Sequence, residues 1–297
     1  MLFLFSFLYT VGATGIHTES IKCPIGEDRA KTFFVLSENE YGGYDSDGAT
    51  YSSGMQPRKY AIATCSKNLY SALNKDMEQT WTAEEEKEIL AIIEQNKKNF
   101  AKAELPETWE RYDIAIDIYR WQGKSHQFLA GLYMDAAWTI RDEAVGIHED
   151  LRGPIVADQV LELGRKELQK NLNTEQRKMV LFNLARVAHR NARFDEREEF
   201  LTAFNQLSTL TEAERKAAKD FGYYTTELEP QYLRKAQKEL LSHIAENPND
   251  GQALYLLGDI ARRLGETESA QRFFNQANLT ADLQEEQRNI ILYLLKK

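Results

Sequence analysis

GQALYLLGDIARRLGETESAQRFFNQA, Gly251 to Ala277, is the stretch that decides the fold. Leu254, Leu257, Gly258 and Ala261 recur three or four apart and so share one face of a first helix. Gly265 ends that helix, and Ala270, Phe274 and Ala277 repeat the spacing on a second. Gly258 and Ala270 are small enough for two helix backbones to approach closely, with Phe274 filling the space beyond them. The pattern also occurs upstream. Leu184, Ala185 and Ala188 copy the spacing of Leu257, Gly258 and Ala261, while Ala236 and Leu240 precede Ala270 and Phe274 by 34 residues.

A helix pair at this period resembles a tetratricopeptide repeat, and Pro248 stands where that repeat places its closing proline. The resemblance implies a scaffold that binds a protein or peptide in the groove lined by the first helices of successive pairs. Helical phase puts Asn183, Arg186, Arg190, Tyr255 and Asp259 on that groove face as candidate partner-binding residues. Ordinary surface charge, or packing for Tyr255, is the plainer account of each taken singly.

Outward from the repeat, residues 80–297 read as one helical-repeat domain of about five helical pairs. Thr82 with Glu85 three residues on is a capping-box start, and Lys97-Lys98 suit the negative end of that helix. Gly123 supplies the turn between a helix carrying Tyr112, Ala115, Ile118 and Tyr119 and one carrying Leu129, Leu132, Ala136 and Ile140. Trp109, Trp121 and Trp138 keep helical spacing and read as packing rather than as a ligand surface. Arg120 and Arg141 are expected to meet solvent or a neighbouring Asp. Asn191-Ala192-Arg193 and Leu210-Thr211-Glu212 read as further helix boundaries. A last helix with Leu283, Ile290, Ile291, Leu294 and Leu295 reads as a terminal cap.

The other end of the chain is different in kind. Met1 to Gly15, MLFLFSFLYTVGATG, is apolar and uncharged, too short for the roughly 20 residues a membrane span needs. Residues 1–15 therefore read as a signal peptide lacking the usual basic start, with Ala13-Thr14-Gly15 as a cleavage site. Residues 16–77 form a small β-rich head holding both cysteines and the turn-rich run Tyr41 to Gly54. Thr32–Leu36 and Lys59–Thr64 are its β-type runs. Asp45 and Asp47 inside the turn-rich run read as a polar turn rather than a calcium loop, since no downstream Glu stands at the required offset.

Two sets of residues resemble an uncharacterised bacterial family, domain-of-unknown-function family 2225. The first is Cys23-Pro24-Ile25-Gly26, Asp45-Ser46-Asp47 and Cys65-Ser66-Lys67-Asn68; the second runs from Arg111-Tyr112 and Ala115 through Gly123 and Ser125 to Ala136-Ala137-Trp138 and Arg141. The family pattern implies two CxxC knuckles forming a four-cysteine zinc ribbon. Here Gly26 and Asn68 replace the second cysteine of each knuckle, and the histidines His17, His126, His148, His189 and His243 are scattered. The expectation is no metal and no cofactor. One cysteine from each knuckle remains, and the resemblance implies that Cys23 and Cys65 lie close enough for a disulfide. Two unrelated buried thiols are the alternative.

The chain carries 37 basic and 46 acidic residues, net −9, with no basic block, which disfavours nucleic acid. No GxSxG, HExxH, P-loop or GxGxxG motif is present. These features predict a mainly α protein: a tetratricopeptide-like helical array behind a small β-ribbon head. The expected function is that of an exported, periplasmic or secreted, non-enzymatic scaffold for a protein or peptide partner, without a stable membrane span. Two alternatives stay open. One is a cytoplasmic metal- or redox-sensing protein with the head as sensor. The other is an enzyme with a cleft between head and repeats, which carboxylates or His converging at that junction would favour.

Overall fold

The computed structural model describes residues 15–100, 106–146 and 151–296. The signal-like segment to Thr14, and His148, lie outside the described residues. The chain is mainly α with a small β head. In the head, β1 (Gly15–Lys22) pairs antiparallel with β2 (Arg29–Ser37), and β4 (Ile62–Thr64) with β5 (Ser71–Leu73). Between them β3 (Gly43–Tyr44) makes a short parallel pairing with β6 (Leu151–Arg152), far along the chain. Lys59 and Tyr60, the start of the expected second run, belong instead to a 3₁₀ turn, Pro57–Tyr60, which Pro57 opens with its fixed φ and missing N–H.

The helices are α1 (Ala83–Lys97), α2 (Thr108–Trp121), α3 (His126–Val145), α4 (Gly153–Leu168), α5 (Thr174–Arg190) and α6 (Phe194–Asn205). They continue with α7 (Glu212–Tyr223), α8 (Glu229–Glu246), α9 (Gly251–Arg263), α10 (Thr267–Leu279) and α11 (Glu285–Leu294). The starts are written in the sequence: Thr82 with Glu85, Asn173 with Gln176 and Thr211 with Glu214 each close a reciprocal capping box. The α9–α10 pair packs as its small residues require. A Cβ on Gly258 would stand 2.5 Å from the Phe274 ring, so only glycine admits that ring.

Pro230 does not break the chain between α7 and α8. A π turn, Tyr224–Leu228, joins them, and Thr225 and Thr226 hydroxyls donate to the carbonyls of Phe221 and Gly222. The wider turn accommodates the proline, whose missing N–H leaves a carbonyl one turn back without its helical donor.

Helix order in space departs from helix order in sequence. α3 packs on α8, α8 on α9, α9 on α10, α10 on α11, α11 on α4, α4 on α5 and α5 back on α3. The Tyr293 hydroxyl donates to Asp158 where α11 meets α4. The helices thus close a circuit. One apolar core runs through it from the head, with Cys23, Ile62 and Tyr70, to Leu257, Phe274 and Ile291. A second core lies within α4–α7, built on Leu161, Leu184, Phe200 and Phe221.

Candidate functional site

The centre of the circuit is filled by the head's own turn-rich loop. Gly48 N–H donates to the Asp45 carbonyl and Asp45 N–H to the Ala49 carbonyl, folding Asp45–Gly48 into a tight turn. Gly43 carries the loop in: its φ is +72°, and a Cβ there would lie 1.9 Å from the Leu151 carbonyl oxygen. No other residue fits.

Three helices grip the turn, and Glu229 of α8 backs one of their arginines. Arg141 of α3 donates to Asp45 Oδ2 at 3.0 Å, to Asp47 Oδ2 at 2.7 Å and to Glu229 Oε1 at 2.6 Å. Arg190 of α5 reaches Asp45 Oδ1 at 2.9 Å and the Gly42 carbonyl at 3.0 Å. From α9, Arg263 Nε lies 3.1 Å from Asp47 Oδ2 and donates to Asp259 at 2.9 Å. Ser46 Oγ donates to Asp259 at 2.8 Å and accepts from Arg262 at 2.7 Å, while Tyr255 donates to the Ser46 carbonyl. Trp138 Nε1 donates to Asp47 at 3.0 Å. Tyr51 donates to Asp45 at 2.7 Å, and its ring lies 3.8 Å beneath the Arg190 guanidinium.

Four carboxylates, Asp45, Asp47, Glu229 and Asp259, therefore face four guanidiniums, Arg141, Arg190, Arg262 and Arg263, at near charge balance. The Arg141 and Asp47 side chains are 0% exposed. Burial alone would raise the Asp47 carboxyl, but Arg141 and Arg263 overcome it and hold it far below the usual range. Glu229 is likewise held at about 2 against burial by Arg141 and His189. His189 donates from Nε2 to Glu229 at 2.7 Å and takes an Arg197 N–H on Nδ1 at 3.4 Å, which is the neutral ring's pattern. Burial, outweighing Glu229, pushes its pKa below the ordinary value.

Of the groove candidates, Arg190, Tyr255 and Asp259 meet on this loop. Asn183 and Arg186 sit together further back along α5, Arg186 lying 4.3 Å over the Phe182 ring. Asp45 and Asp47 lie in the expected polar turn, but that turn is buried, and of the two expectations for Arg141, solvent or a neighbouring Asp, it is the aspartates that it meets. The clue was present: Asp45-Ser46-Asp47 and Arg141 belong to the two separate motif fragments quoted above, and in space they are one cluster. Carboxylates and His189 do converge at the head–array junction, as the enzyme alternative requires, but each carboxylate is saturated by guanidinium or imidazole.

In the head, Cys23 and Cys65 form a disulfide, with Cα atoms 6.0 Å apart. The two positions that replace the knuckle cysteines adjoin it: Asn68 Nδ2 donates to the Ile25 carbonyl at 2.7 Å, and a Cβ on Gly26 would lie 3.7 Å from that nitrogen. A hydrogen bond stands where a metal would need two thiolates. Among the described residues no three His, Cys, Asp or Glu are grouped to hold a metal ion.

The family model of an "Uncharacterized protein conserved in bacteria (DUF2225)" matches residues 16–293. The chain belongs to that family. No curated protein and no solved structure matches it. The match takes in head and helices together, as does the buried cluster that joins them. No described helix is long and apolar enough to cross a membrane.

Proposed function

We propose that this DUF2225 chain is an exported, non-enzymatic scaffold whose helical-repeat array binds a protein or peptide partner. The observation that carries the reading is that the array already holds a stretch of polypeptide: Arg190 and Tyr255, on groove-facing helices, take the carbonyls of Gly42 and Ser46. A surface that reads main-chain carbonyls suits a peptide ligand. The Cys23–Cys65 bridge supports export, because disulfides persist in oxidising compartments. The centre of the groove is taken by the chain's own loop, so a partner engages what lies beside it.

The enzyme reading has the convergence of Asp45, Asp47, Glu229, Asp259 and His189 in its favour. Closure from solvent and pairing to arginine speak against it, since a general acid or base needs an exchangeable proton and substrate access.

Intact-mass analysis of the protein expressed from its native gene, with and without reductant, tests export and the bridge. Photo-crosslinking in envelope fractions, followed by titration of the purified pair, tests binding. Free thiols with Met1 retained sink export. A purified pair that fails to associate sinks the scaffold reading.

A further inference from the structure

Beside the buried loop, a cavity of about 510 Å³ opens between the loop, α3, α9 and α11. Its lining includes Gln127, Gln252, Gln284 and Gln287 together with the apolar Leu256 and Ile290. Gln287 Nε2 donates to Gln252 Oε1 at 2.7 Å, which leaves the buried Gln287 Oε1 without a donor, and the Gln252 amide hydrogens without an acceptor, among the described residues. Gln284 stands at the N-cap of α11 without bonding its own helix. A carboxamide offers two donors and an acceptor in the same plane, which matches the N–H and C=O of a peptide bond.

The charges narrow the ligand further. Among the described residues no Lys, Arg or His lines the cavity, so a phosphate or carboxylate would find no counter-charge from them. Glu40 and Glu286 are the carboxylates at its exposed edge, and the latter accepts from Tyr44 at 2.7 Å. The volume falls in the range of small-ligand sites and admits a few residues of extended chain. Tyr255 lines this cavity and also binds the Ser46 carbonyl, so the space continues a surface already holding polypeptide.

We infer that this cavity is the binding site for a short extended peptide segment, apolar at its centre and basic rather than acidic at its flanks. The inference rests on the scaffold reading and gives it a place and a chemistry. Main-chain amides pair with the glutamines, a small aliphatic side chain covers Leu256 and Ile290, and a Lys or Arg faces Glu40 and Glu286.

The test uses two capped synthetic peptides, Lys-Ala-Val-Ala-Lys and Glu-Ala-Val-Ala-Glu, titrated into the full disulfide-bonded chain while methyl signals of Leu256 and Ile290 are followed. The basic peptide is expected to shift both signals and to bind at least tenfold tighter than the acidic one. The pair Gln127→Leu with Gln252→Leu is expected to weaken it tenfold with an unchanged melting temperature, and Leu256→Trp to abolish it by filling the space. Absence of any shift, equal binding of the acidic peptide, or indifference to both variants overturns the site. A crosslinked partner that still binds the Leu256→Trp protein at full affinity also overturns it while leaving the scaffold reading intact. Peptide binding lost in both variants, with no macromolecular partner in the envelope, sustains the site and removes the scaffold reading.

Discussion

Arg141 on α3 and Asp47 at the tip of the head loop form a fully buried ion pair, 2.7 Å apart, that ties the head to the helices. Taking one partner away leaves the other charge buried without compensation, which costs about 3–5 kcal/mol. Arg141→Met is therefore expected to lower the urea midpoint sharply. Arg141→Lys is expected to recover little, since an ammonium cannot span Asp45, Asp47 and Glu229 at once. Midpoints within error of the parent for both variants would show that the loop is not held by this cluster.

Acid should loosen the same cluster in two stages. The pKa of His189 is lowered by burial, so its contribution is complete above the ordinary 6.5 and declines as pH falls through that value. Glu229, held at about 2, contributes fully above its ordinary 4.5 and loses that contribution toward pH 2. His189→Gln is expected to remove the upper stage and keep the lower one. Because Asp135 titrates in the opposite sense over the same range, the deciding comparison is made with Asp135 replaced by Asn: urea midpoints that stay flat from pH 7 to pH 5 in that background would contradict this account.

Asp135 acts in the opposite direction. Burial raises its pKa to about 6, only partly offset by Arg58. Its folded state favours the proton, so this contribution is complete below about 4 and is lost as pH rises through 6. Asp135→Asn is expected to stabilise the chain by about 1–2 kcal/mol at pH 7 and hardly at all at pH 4. Equal effects at both values would place the cause in packing. The His189 series is read most cleanly in this background.

The turns after α5 and α9 match each other, and they make a paired experiment. Gly265 sits at φ +76° and Ala192, in the corresponding place, at φ +51°. A side chain in that region costs about 1–2 kcal/mol, partly offset by the lower entropy of the unfolded chain. Ala192→Gly is expected to be neutral or to raise stability by up to about 1 kcal/mol, and Gly265→Ala to lower it by about 1. Thermal melts of the two variants check this; opposite signs would refute the equivalence of the turns.

The Cys23–Cys65 bridge closes a long loop of the head. In the chain-entropy model such a loop is worth about 4 kcal/mol. Replacing both cysteines with serine should lower the denaturation midpoint by up to that amount, with the head–array salt bridges intact. A variant as stable as the parent would show that the shared apolar core alone holds the head.

Local chemistry by itself determined a good part of this protein. Capping boxes at Thr82, Asn173 and Thr211 and the small-residue faces at Ala185 and Gly258 need only their own neighbours to take effect, so helices, turns and the close α9–α10 pair are legible along the chain. The retained cysteines, read against the knuckle pattern, located the bridge. Tertiary structure alone decided where the charges went. Nothing adjacent to Asp45 or Asp47 predicts burial, because their partners Arg141, Arg190 and Arg263 arrive from three helices far along the chain. An aspartate's cost of desolvation is set by whatever surrounds it in space, and a closed circuit of helices places guanidiniums there that no local periodicity records.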